Sequence, residues 1–397
     1  MTTPPEELLK WLDEGRTQAF SKVPYGKIMI DAWRSAVAEG RKIRQDKGDP
    51  AASLSTGAKD FAEHFYKADF SENNEIPFYY GYLVQSKLLA ERGAQSLTKG
   101  TPLKIAVTTR PTNHRYAAVY KPAISPDWSV IIIDFGFLSV LIGLSVILSR
   151  YIGLSNDAKG LAFHFPKSGA DAFFAKDKST RNDIVRFLLP CLNLNQNDAP
   201  VPLPLDNIDE QRNVAATIFI RSLIFSVVAH EFGHVIRGHR RLHSTPHEQL
   251  HQMEYEADAL GLILTANNPW KYFEYFGGGE TATVMQLTSI HLQALMLAAI
   301  GMIEKAENIA RNIGHKIALD NTHPDIGNRL KASEYILGTM PMSASMRSHI
   351  QETRQSLVDF TDSMWTVIEE ELSRQINSRS PISGTDFTVP DADLRFA

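Results

Sequence analysis

Apolar residues fall in three successive textures along the chain. Up to residue 98 they recur at helical spacing over Pro5–Glu14, Tyr25–Lys47, Gly57–Lys67 and Tyr79–Arg92, and polar loops such as Gly48–Ser55 and Asp69–Pro77 separate these runs. From Pro102 the period shortens. Leu103–Thr109, Tyr116–Tyr120 and Ser129–Asp134 are short, β-branched and strand-like, with a hairpin turn expected near Pro111–His114. Long apolar helices then dominate: Phe135–Ser149, Val214–Ala229, Met253–Leu264, Thr281–Ile303 and Ala344–Ile376. The expected fold is α+β and mainly helical. It has an N-terminal helical region (1–98), a central domain (99–340), a C-terminal helix (341–376) and a loose Ser/Pro/Asp-rich tail (377–397). Asn156–Gln211 is polar with a proline-rich end (Ala199–Leu205) and reads as an insertion, either a surface elaboration or a rim over a cleft.

Two of the helices are apolar enough to raise the question of a membrane. Phe135–Ser149 has 15 uncharged residues between Asp134 and Arg150, short of the roughly 20 that span a bilayer. Thr281–Ile303 has 23, but Gln286, His291 and Gln293 near its middle are costly in hydrocarbon. Core helices are expected in both places, with membrane association not favoured. In the C-terminal helix, Met346, Ile350, Leu357, Phe360, Met364 and Val367 form a seam. It serves either its own domain or a homodimer through 344–376.

Chemistry concentrates at Val227–His239, VVAHEFGHVIRGH. His230-Glu231-Phe232-Gly233-His234 is an HExxH pentad. Residues four apart on a helix differ by only about 40° of rotation, so both imidazoles can face one divalent cation. Glu231 lies beside them, where a carboxylate can take a proton from a metal-bound water. The preceding Val214–Ala229 is apolar almost all round, as a buried and therefore rigid platform requires. By chance alone an isolated pentad is not rare, so a third ligand has to be found.

His239 is nine residues beyond His230, about 180° around a continuing helix, and so points away from the metal. With Arg237, Arg240 and Arg241 it reads as a helix-end cation facing the negative end of the dipole. Met253–Leu264 offers better. Glu254 lies 20 residues after His234, enough for a turn and a second helix, with Thr245-Pro246 as that helix's start. Asp258, four residues on, shares its face and can hydrogen-bond a liganding imidazole. His251 and Glu256 are the alternative ligands.

HEFGHVIRGH, then EYEAD, then Thr322-His323-Pro324 with Arg329 (THPDIGNRL) occur in an order that resembles one group of zinc metallopeptidases. These are the gluzincins of the CAAX-prenyl-protease and heat-shock-protease type, with HExxH…ExxxD…(S/T)HP…R; the likeness spans Val214–Leu337. The resemblance implies a zincin-like core with one Zn2+ held by His230, His234 and Glu254, and Asp258 behind the ligands. It also implies a cleft histidine at His323 that steadies the oxyanion. Arg329 is expected beside Asp258 behind the ligands, with a purely structural pairing role as the alternative. Gluzincins carry a small sheet ahead of the HExxH helix whose edge strand binds extended substrate. Val130–Phe137 is the candidate edge, with a buried central strand as the alternative.

A net charge of −4 argues against nucleic acid as the main partner. The single cysteine, Cys191, excludes an intrachain disulfide framework and suits a reducing compartment. The start, MTTPPEELLKWLDEGR, is acidic and amphipathic and does not read as a secretory signal. The expectation is a cytoplasmic zinc metallopeptidase acting on peptide or protein substrates, with Glu231 and His323 catalytic. The alternatives are a membrane-associated protease of the prenyl-protein or heat-shock type, a trigger-activated protease resembling the phage-exclusion metallopeptidases, and a non-catalytic zinc scaffold.

Overall fold

The structure, a computed structural model, describes residues 4–22, 77–110, 117–157, 160–164, 177–192, 210–239, 245–266, 279–315, 317 and 323–379. In chain order the elements are α1 (Glu6–Lys22), α2 (Pro77–Ala94), β1 (Ile105–Arg110), β2 (Ala117–Tyr120), β3 (Ser129–Asp134) and α3 (Phe135–Tyr151). A second pair of strands, β4 (Gly153–Asp157) and β5 (Gly160–His164), is followed by α4 (Lys178–Cys191), α5 (Glu210–Arg237) and α6 (His247–Ala266). The chain continues through α7 (Gly279–Asn312), α8 (Ile326–Thr339) and α9 (Ala344–Asn377). The fold is mainly helical α+β. The helices expected at 25–47 and 57–67, the turn at 111–114, the proline-rich 199–205 and the tail from 380 lie outside the described residues.

The small sheet differs from the expected hairpin. Its order is β1-β3-β2, with β1 parallel and β2 antiparallel to β3. Every residue of β3 is buried, and the strand is paired along both edges, with β1 on one side and β2 on the other. Val130–Phe137 is therefore not an edge: 130–134 are the central strand and Phe135 already begins α3. At the shared end of β1 and β3, Arg110 donates from Nε and Nη2 to the two oxygens of Asp134 at 2.6 and 2.9 Å. That neutralises a carboxylate with no exposure to water.

α5 is the axis of the protein, packing against α2, α3, α6 and α7. Phe219, Leu223, Ile224, Val228 and Phe232 are fully buried along it. Ile218–Arg237 is the one stretch among the described residues long and apolar enough to cross a membrane. It is mostly buried within the protein, which is what the central helix of a core requires. α3 is buried from Phe135 to Ser149. Gln293 of α7, costly in hydrocarbon, donates here to the Asp258 carbonyl at 3.0 Å. The seam of α9 faces α7 of the same chain, with Ile350, Leu357, Phe360 and Met364 buried and Met346 exposed. The segment 156–211 is not all surface elaboration: Ile184, Val185, Phe187 and Leu188 of α4 belong to the main core, and α4 packs against α3 and α9.

Candidate metal centre

α5 and α6 cross closely because two glycines remove side chains at the crossing. A Cβ on Gly233 would stand 2.8 Å from the Cα and the carbonyl oxygen of Ala257. A Cβ on Gly261 would stand 3.1 Å from the backbone nitrogen of His230. Across this contact the side chains expected to meet do so. His230 Nε2 lies 3.2 Å from His234 Nε2, 3.4 Å from Glu254 Oε2, and His234 Nε2 is 3.4 Å from Glu254 Oε1. His230, His234 and Glu254 are all buried, and each can turn a ligand atom to a common point.

The residues fit zinc. Two ligand atoms bound at 2.0–2.1 Å in a tetrahedron are separated by about 3.3 Å, close to the spacings seen here. Three protein ligands, two imidazoles and one carboxylate, are also the donor set of a catalytic rather than a structural zinc, which takes four.

The surrounding electrostatics favour a cation at that point. Burial by itself would lower the His230 imidazole, yet hydrogen bonding and charge from Asp258 and Glu254 push it up to about 10. Burial would raise the Glu254 carboxyl, but the charges of His323, His230 and Arg329 hold it well below the usual carboxylate range. Asp258 is the link between ligand and scaffold. Its Oδ1 is 2.9 Å from His230 Nδ1, which leaves Nε2 to face His234 and Glu254. On its far side Arg329 of α8 donates to both Asp258 oxygens at 2.8 Å. This fork brings Asp258 to about 2 against the cost of complete burial. Arg329, 2% exposed, thus has a definite role as the counter-ion of the site's buried acids.

Behind that pair lies a brace whose residues carry no motif. Arg354 of α9 donates from Nη1 to the Ile290 carbonyl at 2.6 Å and from Nη2 to Ser333 Oγ at 2.5 Å. Ser333 Oγ donates to Gln293 Oε1 at 2.8 Å, and Gln293 donates in turn to the Asp258 carbonyl. The C-terminal helix thereby holds α6 through α7 and α8.

His323 comes to the site from a loop ahead of α8. Its Nε2 lies 3.6 Å from Glu254 Oε2 and its side chain is 25% exposed, the most accessible of the histidines around the centre. Thr322 lies outside the described residues. Pro324 is buried, and Asp325 caps α8 by accepting from the Asn328 amide at 3.2 Å, which fixes where the loop ends. Glu231 is buried beside His230 on α5. The alternative third ligands turn elsewhere: Glu256 pairs with Arg237 at 2.6 Å and Gln252 at 3.0 Å, and His251 is outside the cluster.

His239 is where the structure departs from the helical extrapolation. α5 stops at Arg237, Gly238 takes φ +67°, and the His239 amide donates back to the His234 carbonyl at 3.0 Å. The reversal returns the ring to His234, behind the edge that faces His230 and Glu254, with His239 Nδ1 at 2.9 Å from His234 Nδ1. The glycine at 238 was the available signal, since a glycine just after an apolar helix ends it and voids any count of 100° per residue beyond it.

Residues 191–346 match the model of the family described as Peptidase U49. The match supports a peptidase. It covers rather less than half of the chain, but it contains the pentad, Glu254, Asp258, His323 and Arg329. Neither a curated protein nor a solved structure matches the chain.

Proposed function

We propose that this peptidase is a zinc-dependent endopeptidase of the gluzincin kind, with His230, His234 and Glu254 as ligands. The observation that carries the reading is the convergence of three buried side chains, with His230 Nε2 and His234 Nε2 3.2 Å apart and each 3.4 Å from one of the two Glu254 oxygens, and with Glu231 adjoining them in the chain. Zinc held there would supply Lewis acidity toward the scissile carbonyl and lower the pKa of a bound water. Glu231 takes the proton of the attacking water and delivers it to the leaving amine. His323, partly exposed at the edge of the site, donates to the oxygen that becomes negative as the carbonyl turns tetrahedral. Asp258 keeps the His230 proton on Nδ1, and Arg329 keeps Asp258 ionised. Strand β2, at one margin of the sheet among the described residues and packed near α5, replaces Val130–Phe137 as the candidate edge for extended substrate.

The test compares wild type with Glu231→Gln for zinc content and for cleavage of a mixed peptide pool followed by mass spectrometry. About one zinc per chain in both, with cleavage in the wild type alone, supports the assignment. Cleavage at wild-type rate by the variant rejects Glu231 as the base, and absence of zinc from both proteins after reconstitution rejects the centre.

A further inference from the structure

The two histidines of the centre are oriented by different chemistry. Behind His230 stands the carboxylate of Asp258; behind His234 stands a third imidazole, His239, at 2.9 Å between the two Nδ1 atoms. The rings meet edge to face, at 68° and 5.1 Å between centroids. One of two ring nitrogens in hydrogen-bond contact must carry the proton and the other a lone pair. If His234 offers Nε2 to a metal, its proton is on Nδ1, and His239 accepts at Nδ1. The His239 proton then lies on Nε2, which faces Glu256 Oε2 at 3.4 Å. Glu256 is itself held, by Arg237 Nε at 2.6 Å and by Gln252 Nε2 at 3.0 Å. Donor and acceptor alternate without conflict along His234, His239 and Glu256.

We infer that His239 is a positioning residue for the metal ligand His234, and that Glu256 anchors it. The pair forms a second orienting arm beside the one made by Asp258 and Arg329. The inference rests on the metal reading above, since only a metal on His234 Nε2 settles the direction of the hydrogen bond. The arm depends on Gly238: the left-handed turn there places the His239 ring alongside the ligand one turn earlier. Its 90%-covered side chain makes the contact a built one rather than a surface encounter. Loss of such a partner lowers metal affinity by about 10–100-fold in sites of this class.

The experiment titrates the full chain with zinc against a chelator of known affinity and records the visible spectrum of the cobalt-substituted protein. The proteins are wild type, His239→Phe, His239→Gln and Glu256→Gln, each with its metal-free melting temperature. Expected are zinc binding about 10–100-fold weaker in His239→Phe with an altered cobalt spectrum, and recovery of most of the affinity in His239→Gln, whose amide oxygen can accept. A smaller loss, of a few fold, is expected in Glu256→Gln. Wild-type affinity and spectrum in His239→Phe, beside a zinc-binding wild type, overturn this inference and leave the proposed function standing. A wild type that takes up no zinc overturns both. Should His239→Phe fail to fold, Glu256→Gln, which alters a part-exposed side chain, carries the same decision: unchanged zinc affinity there overturns the anchored arm.

Discussion

Replacing Gly233 by alanine separates the demands of the helix from those of the metal centre. Within an isolated helix the change is favourable by about 1 kcal/mol. In this protein the added Cβ would stand 2.8 Å from both the Cα and the carbonyl oxygen of Ala257, where ordinary contact begins at 3.4 Å. Both obstacles are backbone atoms, so no side chain can swing aside, and α6 has to retreat from α5 by about 0.6 Å. Ala257 lies between Glu254 and Asp258, and a metal site tolerates errors of only about 0.2 Å in its ligand distances. Overpacking of this kind costs about 1–3 kcal/mol, so a net loss of about 0–2 kcal/mol is expected in the metal-free protein after the helical gain. Zinc affinity should fall at least about tenfold, or 1.4 kcal/mol. Urea unfolding of the metal-free protein and chelator competition read the two quantities separately. A variant that is more stable by the full helical gain, or that binds zinc as tightly as wild type, would refute the account of a backbone-to-backbone crossing.

Arg329→Met should be among the most damaging single changes, because it leaves the buried Asp258 carboxylate without its counter-ion; breaking such a pair costs about 3–5 kcal/mol in denaturant unfolding. His323→Ala should lower the turnover number while zinc content stays at wild-type level, and a parallel loss of zinc would reassign His323 to the ligand set. Removing zinc by chelation should lower the melting temperature reversibly, by an amount equivalent to about 2.7 kcal/mol when free zinc stands at 100 times its dissociation constant. Asp177 accepts from the Thr180 amide at 3.0 Å, from Thr180 Oγ1 at 2.8 Å and from Tyr151 Oη at 2.9 Å. Burial would raise its carboxyl, but these hydrogen bonds keep it below the ordinary range. A depressed carboxylate stabilises the folded state above its unfolded pKa and loses that contribution as pH falls through the folded one. Asp177→Ala should therefore cost about 1–2 kcal/mol at neutral pH and progressively less below about pH 4; an equal cost at all pH values would contradict the capping role.

The centre was legible in the chain wherever its geometry is local to one helix or repeated at helical spacing. His230 and His234 four apart on an apolar run, and Glu254 and Asp258 four apart on the next, determine which imidazoles share a face and which acids share one. The all-apolar Val130–Ile133 likewise implied a buried strand as one of two readings, and the apolar length of 135–149 implied a core helix. What the chain alone left undecided depends on contacts between distant segments. The place of β3 between β1 and β2 is set by which strands pair with both its edges, and no local pattern states that order. Glu254 rather than Glu256 meets the histidines because Gly233 and Gly261 fix how α6 crosses α5, which turns one carboxylate to the metal point and the other to Arg237. Arg354, Ser333 and Gln293 stand alone in sequence and become one brace only when α7, α8 and α9 are packed together. His239 belongs to both sides. Gly238 announced in the sequence that the helix would stop, but only the reversed chain shows that the ring beyond it comes back to His234. Periodicity determines faces within an element; the crossing of elements, set by which backbones can approach, decides which faces meet.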